Sequence, residues 1–351
     1  MKALLITGAD GWLGQSLIDC LLNDFSIVKG INLIIFHSLD KAKFIKKQRL
    51  KFFDENNINY SFIKGSVTDD VFIGKVNKFI NLKKIKDLRV IYTSSVIHPE
   101  KISDFNNINY LGLKNFYNSL DKSLLKKFTY ISSNSPFGFN KTKLLFDEKS
   151  FYDPIGEYGK SKKKAEEFLL RKKDTKRITI LRAPWFHGKN MPFRQAKFLN
   201  NSAKGLFPLI NKGQNKRSVV NTQDLAKAAL NVTFRKTKCQ VYWISDSNSY
   251  TMIGLMKIIQ NSYSKAKNLK PINKIKYLNL PKGTSSLFCL VDLFLQKIGF
   301  YNKYVHILGE LGQNIECSSE KYRQEFKDHI WNDIVDSIDE ELKESEKIYN
   351  S

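Results

Sequence analysis

Short apolar segments alternate with amphipathic ones along the N-terminal half of the chain. Segments rich in apolar and β-branched residues predict strands at 2–6, 32–36, 60–64, 89–93, 128–132 and 178–182. Helical periodicity between them predicts helices that include Leu13–Leu22, Asn109–Leu120 and Tyr158–Arg171. The alternation is typical of βαβ units. We therefore expect an α/β fold of the Rossmann type, with a doubly wound parallel sheet.

The pattern becomes less regular from Ala183 onward and returns once to a strand, at Val241–Ser245. We predict an NAD(P)-binding Rossmann domain over residues 1–182, with a return segment at about 218–248. Residues 183–217 and 249–351 are then expected to form a smaller C-terminal substrate-binding lobe.

The loop after the first strand carries three glycines at intervals of three, Gly8, Gly11 and Gly14. Gly8 suits a tight turn, Gly11 lets the backbone approach a pyrophosphate, and Gly14 permits close packing of helix on strand. Amides at the start of the following helix would hold the phosphate. We predict that the intervening residues also contact a dinucleotide; they are Asp10, Trp12 and Leu13.

The strand ends bear on the choice between NAD and NADP. An acid at the end of the second strand normally binds the ribose of NAD, but this chain has Phe36-His37-Ser38 there. Lys41 and Lys43 could instead meet a 2′-phosphate. We predict NAD, with NADP as the alternative. His37, together with Ser66 and Thr93 after the next two strands, is a candidate cofactor contact.

Tyr158 and Lys162 are four residues apart at the start of a predicted helix, which places them on one face. A phenol can take a proton from a substrate hydroxyl if a nearby ammonium and a positively charged nicotinamide lower its pKa. Lys162 would supply that charge and bind the nicotinamide ribose. Ser133 lies 25 residues before Tyr158 and could bind and polarise the substrate oxygen, with Ser132 as a competitor.

Two further segments extend this pattern: Asn109–Asn115 reads NxxGxxN, and Leu181–Gly188 reads LRxxxxxG. Together the motifs resemble the NAD-dependent epimerase/dehydratase branch of the extended short-chain dehydrogenases/reductases. The resemblance implies an enzyme that oxidises a nucleotide-sugar substrate to a transient keto intermediate. It also implies that Arg217 binds the substrate diphosphate, a task that suits the planar guanidinium. A homodimer formed through the helices at 109–120 and 158–171 is expected on the same ground.

Departures from the family pattern reduce the number of reactions that we expect. Sugar dehydratases carry an Asp-Glu pair after the catalytic hydroxyl, whereas Ser133 is followed by Asn134-Ser135, so dehydration is not expected. Trp185 replaces the asparagine of galactose-type epimerases and is a candidate sugar or base contact. His98 and His187 could titrate near neutrality, but we assign them structural or substrate-contact roles.

Two other functions stay open. A hydroxysteroid- or flavonol-type dehydrogenase/reductase would share the Tyr-Lys set, and a non-catalytic NAD(P)-binding regulator would share the Rossmann fold. An apolar substrate pocket without a diphosphate site would favour the first. Binding to a protein partner without turnover would favour the second.

The chain has 351 residues and a formal net charge of +24, which favours anionic ligands. Its lysines are scattered and no nucleic-acid-binding motif accompanies them, so we expect no nucleic-acid partner. The cysteines are widely separated, and free thiols without a metal site are expected; they are Cys20, Cys239, Cys289 and Cys317. The N-terminal residues lack the pattern of a signal peptide, from which we expect a cytoplasmic protein.

The longest apolar run, Leu287–Leu295, contains Asp292 and is too short to cross a bilayer. We interpret it as a core helix and expect no stable membrane insertion. A helix facing lipid or a partner is the alternative, because Phe288, Leu295 and Phe300 could add apolar surface beside basic residues. Peripheral membrane contact therefore stays open.

Overall fold

The computed structural model describes residues 1–39, 47–270 and 274–349. Strands within these ranges are β1 (Lys2–Thr7), β2 (Leu33–Ser38), β3 (Tyr60–Lys64), β4 (Asp87–Tyr92), β5 (Leu125–Ile131), β6 (Ile178–Arg182), β7 (Trp185–His187), β8 (Pro208–Ile210), β9 (Lys216–Arg217), β10 (Val219–Asn221), β11 (Val241–Trp243), β12 (Tyr250–Thr251) and β13 (Leu278–Leu280). The predicted Lys41 and Lys43 lie outside the described residues.

Helices surround the strands. The α-helices are α1 (Trp12–Asn23), α2 (Lys47–Glu55), α3 (Asp70–Leu82), α4 (Ser103–Asn106), α5 (Leu113–Ser119), α6 (Gly156–Leu170), α7 (Phe193–Ala203), α8 (Thr222–Phe234), α9 (Met252–Ala266), α10 (Thr284–Lys297), α11 (Lys303–Leu311), α12 (Glu320–Glu325) and α13 (Ile334–Tyr349). A π-helical segment, Asn107–Gly112, joins α4 to α5. Single turns of 3₁₀ helix occur at Phe25–Val28, Ser135–Phe137, Thr175–Arg177 and Asn211–Gly213.

In the described part of the chain, seven parallel strands form the central sheet, in the order β3-β2-β1-β4-β5-β6-β11. The order reverses direction between β1 and β4, and in doubly wound folds this switch point is where a nucleotide binds. The predicted Rossmann-type sheet is confirmed. Each predicted strand of the sheet lies within three residues of the observed bounds at both ends.

Helices cover both faces of the sheet, which is why all residues of the interior strand β2 are buried. One face packs against α1 and α8, for example through Leu17 and Leu225. The other packs against α3 and α5 through Phe72 and Phe116. The sheet is thereby held rigid, and its loops present side chains along the carboxyl edge.

A separate core unites residues from both segments of the predicted substrate-binding lobe. Leu199 of α7, Met256 of α9 and Ile338 of α13 are buried there together. Tyr322 and Phe326, in and just after α12, instead pack with the core of the central sheet. The boundaries of the two lobes stay a prediction.

Two predicted helices differ from the structure. The predicted helix at 109–120 is interrupted, because the π-helical turn at Asn107–Gly112 shifts the register of the backbone hydrogen bonds before α5 begins. The interpretation of Leu287–Leu295 as a core helix is wrong, since α10 buries Asp292 and exposes Leu290 and Phe294. None of the described helices is long and apolar enough to cross a membrane.

Candidate active site

The glycine loop between β1 and α1 forms a tight turn at the sheet's switch point. Gly8 has φ +63°, and its carbonyl accepts a hydrogen bond of 3.0 Å from the amide of Gly11. A Cβ on Gly14 would lie 2.3 Å from the Gly8 oxygen, so α1 packs on the turn more closely than any other residue type permits. The helix begins after Gly11 without a side-chain cap, which leaves its first amides for an anion.

Neighbouring strands hold this loop in place. The Thr93 hydroxyl donates to the Thr7 carbonyl at 2.6 Å, and the Thr93 amide donates to the Thr7 hydroxyl at 3.2 Å. His37 Nδ1 accepts from the Gly8 amide at 3.3 Å, while Nε2 lies 2.9 Å from the Gly65 carbonyl. Burial lowers the pKa of His37, so a neutral ring that donates from Nε2 is favoured. Thr93 and His37 therefore support the loop.

The other predicted cofactor residues take different positions. The Asp10 carboxylate accepts a 3.0 Å hydrogen bond from the Leu39 amide, just past the end of β2. Trp12 Nε1 donates to the Lys189 carbonyl at 2.7 Å. The Leu13 side chain is buried in the core, so only its backbone faces the turn. Ser66 bonds Thr68 through their hydroxyls, 2.8 Å apart, and closes the turn after β3.

Tyr158 lies in the first turns of α6, where its hydroxyl faces the carboxyl ends of β4 and β5. Burial raises the pKa of Tyr158, and a hydrogen bond with Ser133, the charge of Arg194 and a hydrogen bond with Ser95 lower it. Ser133 also bonds the hydroxyl of Ser135 at 3.2 Å. The predicted pair of Tyr158 and Ser133 is thus brought together with two residues that sequence reasoning missed.

Lys162 is buried one turn further along α6. Its Nζ donates to the Ile131 carbonyl at 3.1 Å and lies 5.0 Å from the centre of the Tyr130 ring. Burial lowers the pKa of Lys162 to about 7, although Glu166 on the next turn acts to raise it. The lysine therefore lies beside the end of β5, where its protonation responds to nearby charges.

Glu166 organises the buried base of the site. Arg182 Nη2 forms an ion pair of 2.8 Å with it, and the Tyr152 hydroxyl donates to it at 2.7 Å. The Ser132 hydroxyl also donates to Glu166, so of the two serines after β5 it is Ser133 that contacts Tyr158. Glu166 holds the end of β5 against α6.

Asn109 connects the loop after β4 to the catalytic helix. Its Oδ1 accepts from the Val96 amide at 2.8 Å and from the Ser95 hydroxyl at 3.0 Å. Its Nδ2 donates to the Val96 carbonyl at 3.0 Å and to the Ser161 hydroxyl at 3.2 Å. The π-helical turn brings this side chain inward, a placement often found at functional sites. The NxxGxxN motif, which begins at Asn109, is the sequence signal that points to this residue.

A tyrosine from the C-terminal half of the chain also lies near Tyr158. Tyr301 packs edge-on against Phe105, with ring centres 5.2 Å apart, and Phe105 lies 5.7 Å from Tyr158. The Tyr301 hydroxyl lies 2.7 Å from His98 Nδ1. Burial, Arg194 and other nearby cations lower the pKa of His98 to about 4, so this histidine does not titrate near neutrality.

Arg217 and Trp185, the predicted substrate contacts, pack against other residues of the protein. Arg217 is buried and its Nη2 donates to the Glu310 carbonyl in α11, while its Nε has no partner among the described residues. Trp185, in β7, packs on Phe198 with ring centres 4.8 Å apart. Both remain candidate substrate contacts. Arg194 is exposed as a residue, although burial lowers the pKa of its guanidinium, and its charge acts on the Tyr158 hydroxyl.

His187 forms a buried ion pair with the C-terminal helix α13. Although burial opposes its charge, Glu341 at 2.8 Å from Nδ1 and Asp246 raise the pKa of His187 to about 10. The described cysteines are unpaired in the structure. No group of metal-ligating side chains occurs in the described ranges.

The chain is similar to several known proteins in sequence and in structure. A family model described as "NAD dependent epimerase/dehydratase family" matches residues 4–242. An uncharacterized protein of Sinorhizobium fredii is 32% identical over 242 residues, which are 67% of each chain. The N-acetyl-alpha-D-glucosaminyl-diphospho-ditrans,octacis-undecaprenol 4-epimerase of Escherichia coli O157:H7 is 24% identical over 292 residues, covering 79% of this chain and 75% of that one.

Solved structures share the fold along the whole chain. UDP-glucose 4-epimerase of Thermotoga maritima, solved with UDP-glucose, gives a TM-score of 0.68 at 17% identity and covers 99% of both chains. dTDP-glucose 4,6-dehydratase of Streptomyces venezuelae, solved with NAD, gives 0.72 at 15% identity and covers 98% and 97%. At these identities the likeness establishes the fold alone. With the family match, it follows that the chain belongs to the NAD-dependent epimerase/dehydratase family.

Proposed function

We propose that the protein is an NAD-dependent epimerase or oxidoreductase that acts on a sugar carried by a diphosphate, through a transient keto intermediate. The observation that carries the proposal is the Tyr158 hydroxyl, placed beside Ser133 and Arg194 at the switch point of the sheet. The glycine loop lies at the same edge. The residues that we assign to acid–base chemistry, anion binding and cofactor binding thus lie at one edge of the sheet, which supports the proposal.

The glycine loop fits a dinucleotide. A tight turn at Gly8, uncapped amides after Gly11 and close packing at Gly14 are what a pyrophosphate at a helix start requires. Bound NAD would supply the acceptor and donor of the hydride. Lys162, buried beside the end of β5, is the residue we assign to the nicotinamide ribose.

Asp10 supports NAD over NADP. The sequence places no acid at the end of β2, but the Asp10 carboxylate reaches from the glycine loop to the Leu39 amide there. A carboxylate at this position accepts hydrogen bonds from a ribose hydroxyl and repels a 2′-phosphate. We therefore assign Asp10 the role that the missing strand-end acid has in other NAD enzymes.

In the reaction, Tyr158 would take the proton of the sugar hydroxyl, and the carbon that bears this hydroxyl would lose a hydride. Ser133 donates a hydrogen bond to the oxygen as it becomes a carbonyl. Deprotonation of Tyr158 is favoured by Ser133, Arg194 and Ser95, which oppose the effect of burial. For an epimerase, the hydride would return to the opposite face of the keto carbon, and Tyr158 would give the proton back to the oxygen.

The diphosphate is assigned to the arginines. Arg194 is exposed beside Tyr158, and Arg217 has a buried Nε without a described partner. Guanidinium groups bind phosphate oxygens in bidentate fashion, which favours a sugar diphosphate over an apolar steroid or flavonol. The names of the comparison proteins include both nucleotide-linked and lipid-linked diphosphates, and the shared chemistry is a glycosyl diphosphate.

Dehydration is not part of the proposal. Ser133 is followed by Asn134 and Ser135, so the carboxylic acid pair that water elimination needs is missing at that place. A purely regulatory role would give no reason for Tyr158, Ser133 and Lys162 to occupy one site. Epimerisation or net oxidoreduction is the chemistry that these groups support.

The first experiment is to denature the purified protein and identify any released nicotinamide. Near-stoichiometric NAD would support an epimerase that returns its hydride internally. An empty site that binds NADPH would support a dissociating reductase and contradict the role of Asp10.

The second experiment compares sugars on nucleotide and undecaprenyl diphosphate carriers as substrates for the wild type and for Tyr158→Phe. We expect turnover to fall at least a thousandfold in the variant while bound cofactor is retained. Ser133→Ala should lose most of the activity. Ser132→Ala, at the neighbouring position, is its control. Unchanged turnover in Tyr158→Phe would refute the assignment.

A further inference from the structure

α10 and α11 pack as a helical hairpin whose outer surface is apolar. We define the apolar face as the exposed apolar side chains of this hairpin, which are Leu287, Leu290, Val291, Leu293, Phe294, Ile298, Phe300, Tyr304 and Ile307. Several of them recur every three or four residues along α10, which gathers them on one side of the helix. Leu290 is 67% exposed and Phe294 is 62% exposed. Contiguous surface of this kind marks an interaction site.

The inner side of α10 is polar, the reverse of an ordinary surface helix. Ser285, Asp292 and Gln296 are its buried residues. Asp292 accepts a hydrogen bond of 2.8 Å from Gln296 and lies 2.8 Å from His306 Nδ1 in α11. Since these hydrogen bonds hold Asp292 and Gln296 on the inside of the protein, the orientation of the helix is fixed and its apolar side is left to a partner other than water.

The charges around the apolar face are positive. Lys282, Lys297 and Lys303 are exposed along its edges, while Asp292 is the one acid between residues 281 and 307 and is buried. Apolar side chains flanked by lysines match the boundary between the acyl chains and the headgroups of an anionic membrane. A second copy docked through the same face would bring like charges together.

We propose that the apolar face docks on the surface of a bilayer that contains anionic phospholipids. The 14 residues of α10 are too few to cross a bilayer, so the helix would lie along the boundary with its lysines at the lipid phosphates. The net charge of +24 adds long-range attraction to the same surface.

The apolar face lies next to the candidate active site. Gln296 Oε1 accepts a hydrogen bond of 2.7 Å from the amide of Glu157, the residue before Tyr158. Tyr301, the residue after Phe300 of the apolar face, packs against Phe105 beside the same tyrosine. Docking would hold the catalytic cleft about one helix diameter, roughly 10 Å, from the lipid. Resting on the proposed function, this placement favours a sugar whose diphosphate is anchored in the bilayer.

The test is sedimentation of the full-length protein with vesicles of equimolar phosphatidylglycerol and phosphatidylcholine, compared with vesicles of phosphatidylcholine alone. We expect binding to the anionic vesicles that weakens as salt is raised. Leu290→Ser combined with Phe294→Ser should reduce it at least tenfold. The matched control is Leu144→Ser with Phe151→Ser, because these side chains are 77% and 92% exposed elsewhere on the molecule and should leave binding unchanged.

Turnover of a water-soluble nucleotide-sugar should be the same in both double variants and the wild type, which separates failure of docking from failure of the proposed chemistry. Two results would overturn the proposal. One is wild-type protein that does not sediment with anionic vesicles. The other is a Leu290→Ser/Phe294→Ser variant that binds vesicles normally but loses a dimer in analytical ultracentrifugation, which would make the apolar face a contact between copies.

Discussion

At the scale of single residues, the site is set by how burial and charge act on a few ionisable groups. Tyr158 and Lys162 share one face of α6, yet burial moves their pKa values in opposite directions, upward for the phenol and downward for the ammonium. Each neutral form is favoured until a substrate or cofactor changes the local charge. Residues that supply fixed charge nearby, among them Arg194, therefore affect how readily Tyr158 loses its proton.

Arg194 is predicted to bind the substrate diphosphate. Because its side chain is exposed, Arg194→Ala should leave the melting temperature unchanged but raise KM for a nucleotide-sugar at least tenfold. Arg194→Lys should recover only part of the affinity, since an ammonium cannot bind two oxygens in a fork. Arg217→Ala is the comparison, and it should also lower stability because Arg217 is buried and bonds the Glu310 carbonyl. An unchanged KM in Arg194→Ala would remove it from the substrate site.

Lys162 is predicted to make stability depend on pH in the cofactor-free protein. Its pKa in the folded protein is about 7, below the usual lysine value, so the unfolded chain binds more protons between about pH 7 and 10. Stability from this group therefore rises with pH through that window, at up to about 1.4 kcal/mol per pH unit.

The measurement is urea unfolding of the wild type and Lys162→Met at about pH 7 and about pH 9. The wild type should gain a few kcal/mol relative to the variant at the higher pH. Lys160→Met, in the same helix but exposed, is the control and should show no such difference. Parallel pH dependence in all three proteins would contradict the low pKa of Lys162.

Sequence spacing predicted those residues of the site that belong to a short sequence motif. Gly8, Tyr158 and Ser133 were identified because a turn, a helix face and a strand end have short sequence signatures. Arg194 and Tyr301 were missed, since they reach Tyr158 through tertiary packing from positions 36 and 143 residues away, for which no local pattern exists.

At the scale of elements, the strands of the central sheet were predictable and α10 was not. Buried parallel strands are apolar along their whole length, so their bounds appear directly in the sequence. The apolar run of α10 was assigned to the core by the same reasoning. Its buried side is instead defined by Asp292 and Gln296, whose hydrogen bonds depend on His306 and Glu157 in other helices. Apolar content alone does not reveal which side of a helix faces inward.

The C-terminal helix α13 is predicted to be held by one buried charge. Glu341 pairs with His187, whose folded pKa of about 10 lies above its unfolded value. The stabilisation is therefore fully present below about pH 6.5 and is lost as pH rises toward 10. Glu341→Gln should cost about 3 kcal/mol of unfolding free energy at about pH 6 and less at about pH 9.

Glu340→Gln is a matched control for this prediction, because Glu340 is the preceding residue and its ion pair with Lys189 is exposed. Its effect should stay within about 0.5 kcal/mol at either pH. Chemical unfolding at both pH values gives the comparison. Equal losses in the two variants would mean that α13 is held by its apolar contacts alone.

At the scale of the whole molecule, the charge of +24 opposes association of two copies as well as attracting anions. The helices predicted to form a homodimer, at 109–120 and 158–171, carry only a part of this charge, because they contain six lysines and arginines against two glutamates. A depression between them is lined by two aromatic residues, three cations and one acid, which are Tyr110, Phe168, Lys164, Arg171, Lys172 and Glu167. An interface there would bury aromatic side chains at its centre and place lysines of both copies close together.

We therefore predict a dimer that strengthens with salt, since screening reduces repulsion between the lysines. Tyr110→Lys adds one more positive charge at the centre of that surface and should raise the dimer dissociation constant at least tenfold. Leu144→Lys adds the same charge at an exposed site outside these helices and should have no effect. Sedimentation velocity across a range of salt concentrations measures both. A dimer that weakens with salt, or one that Tyr110→Lys leaves intact, would place the interface on another surface of the molecule.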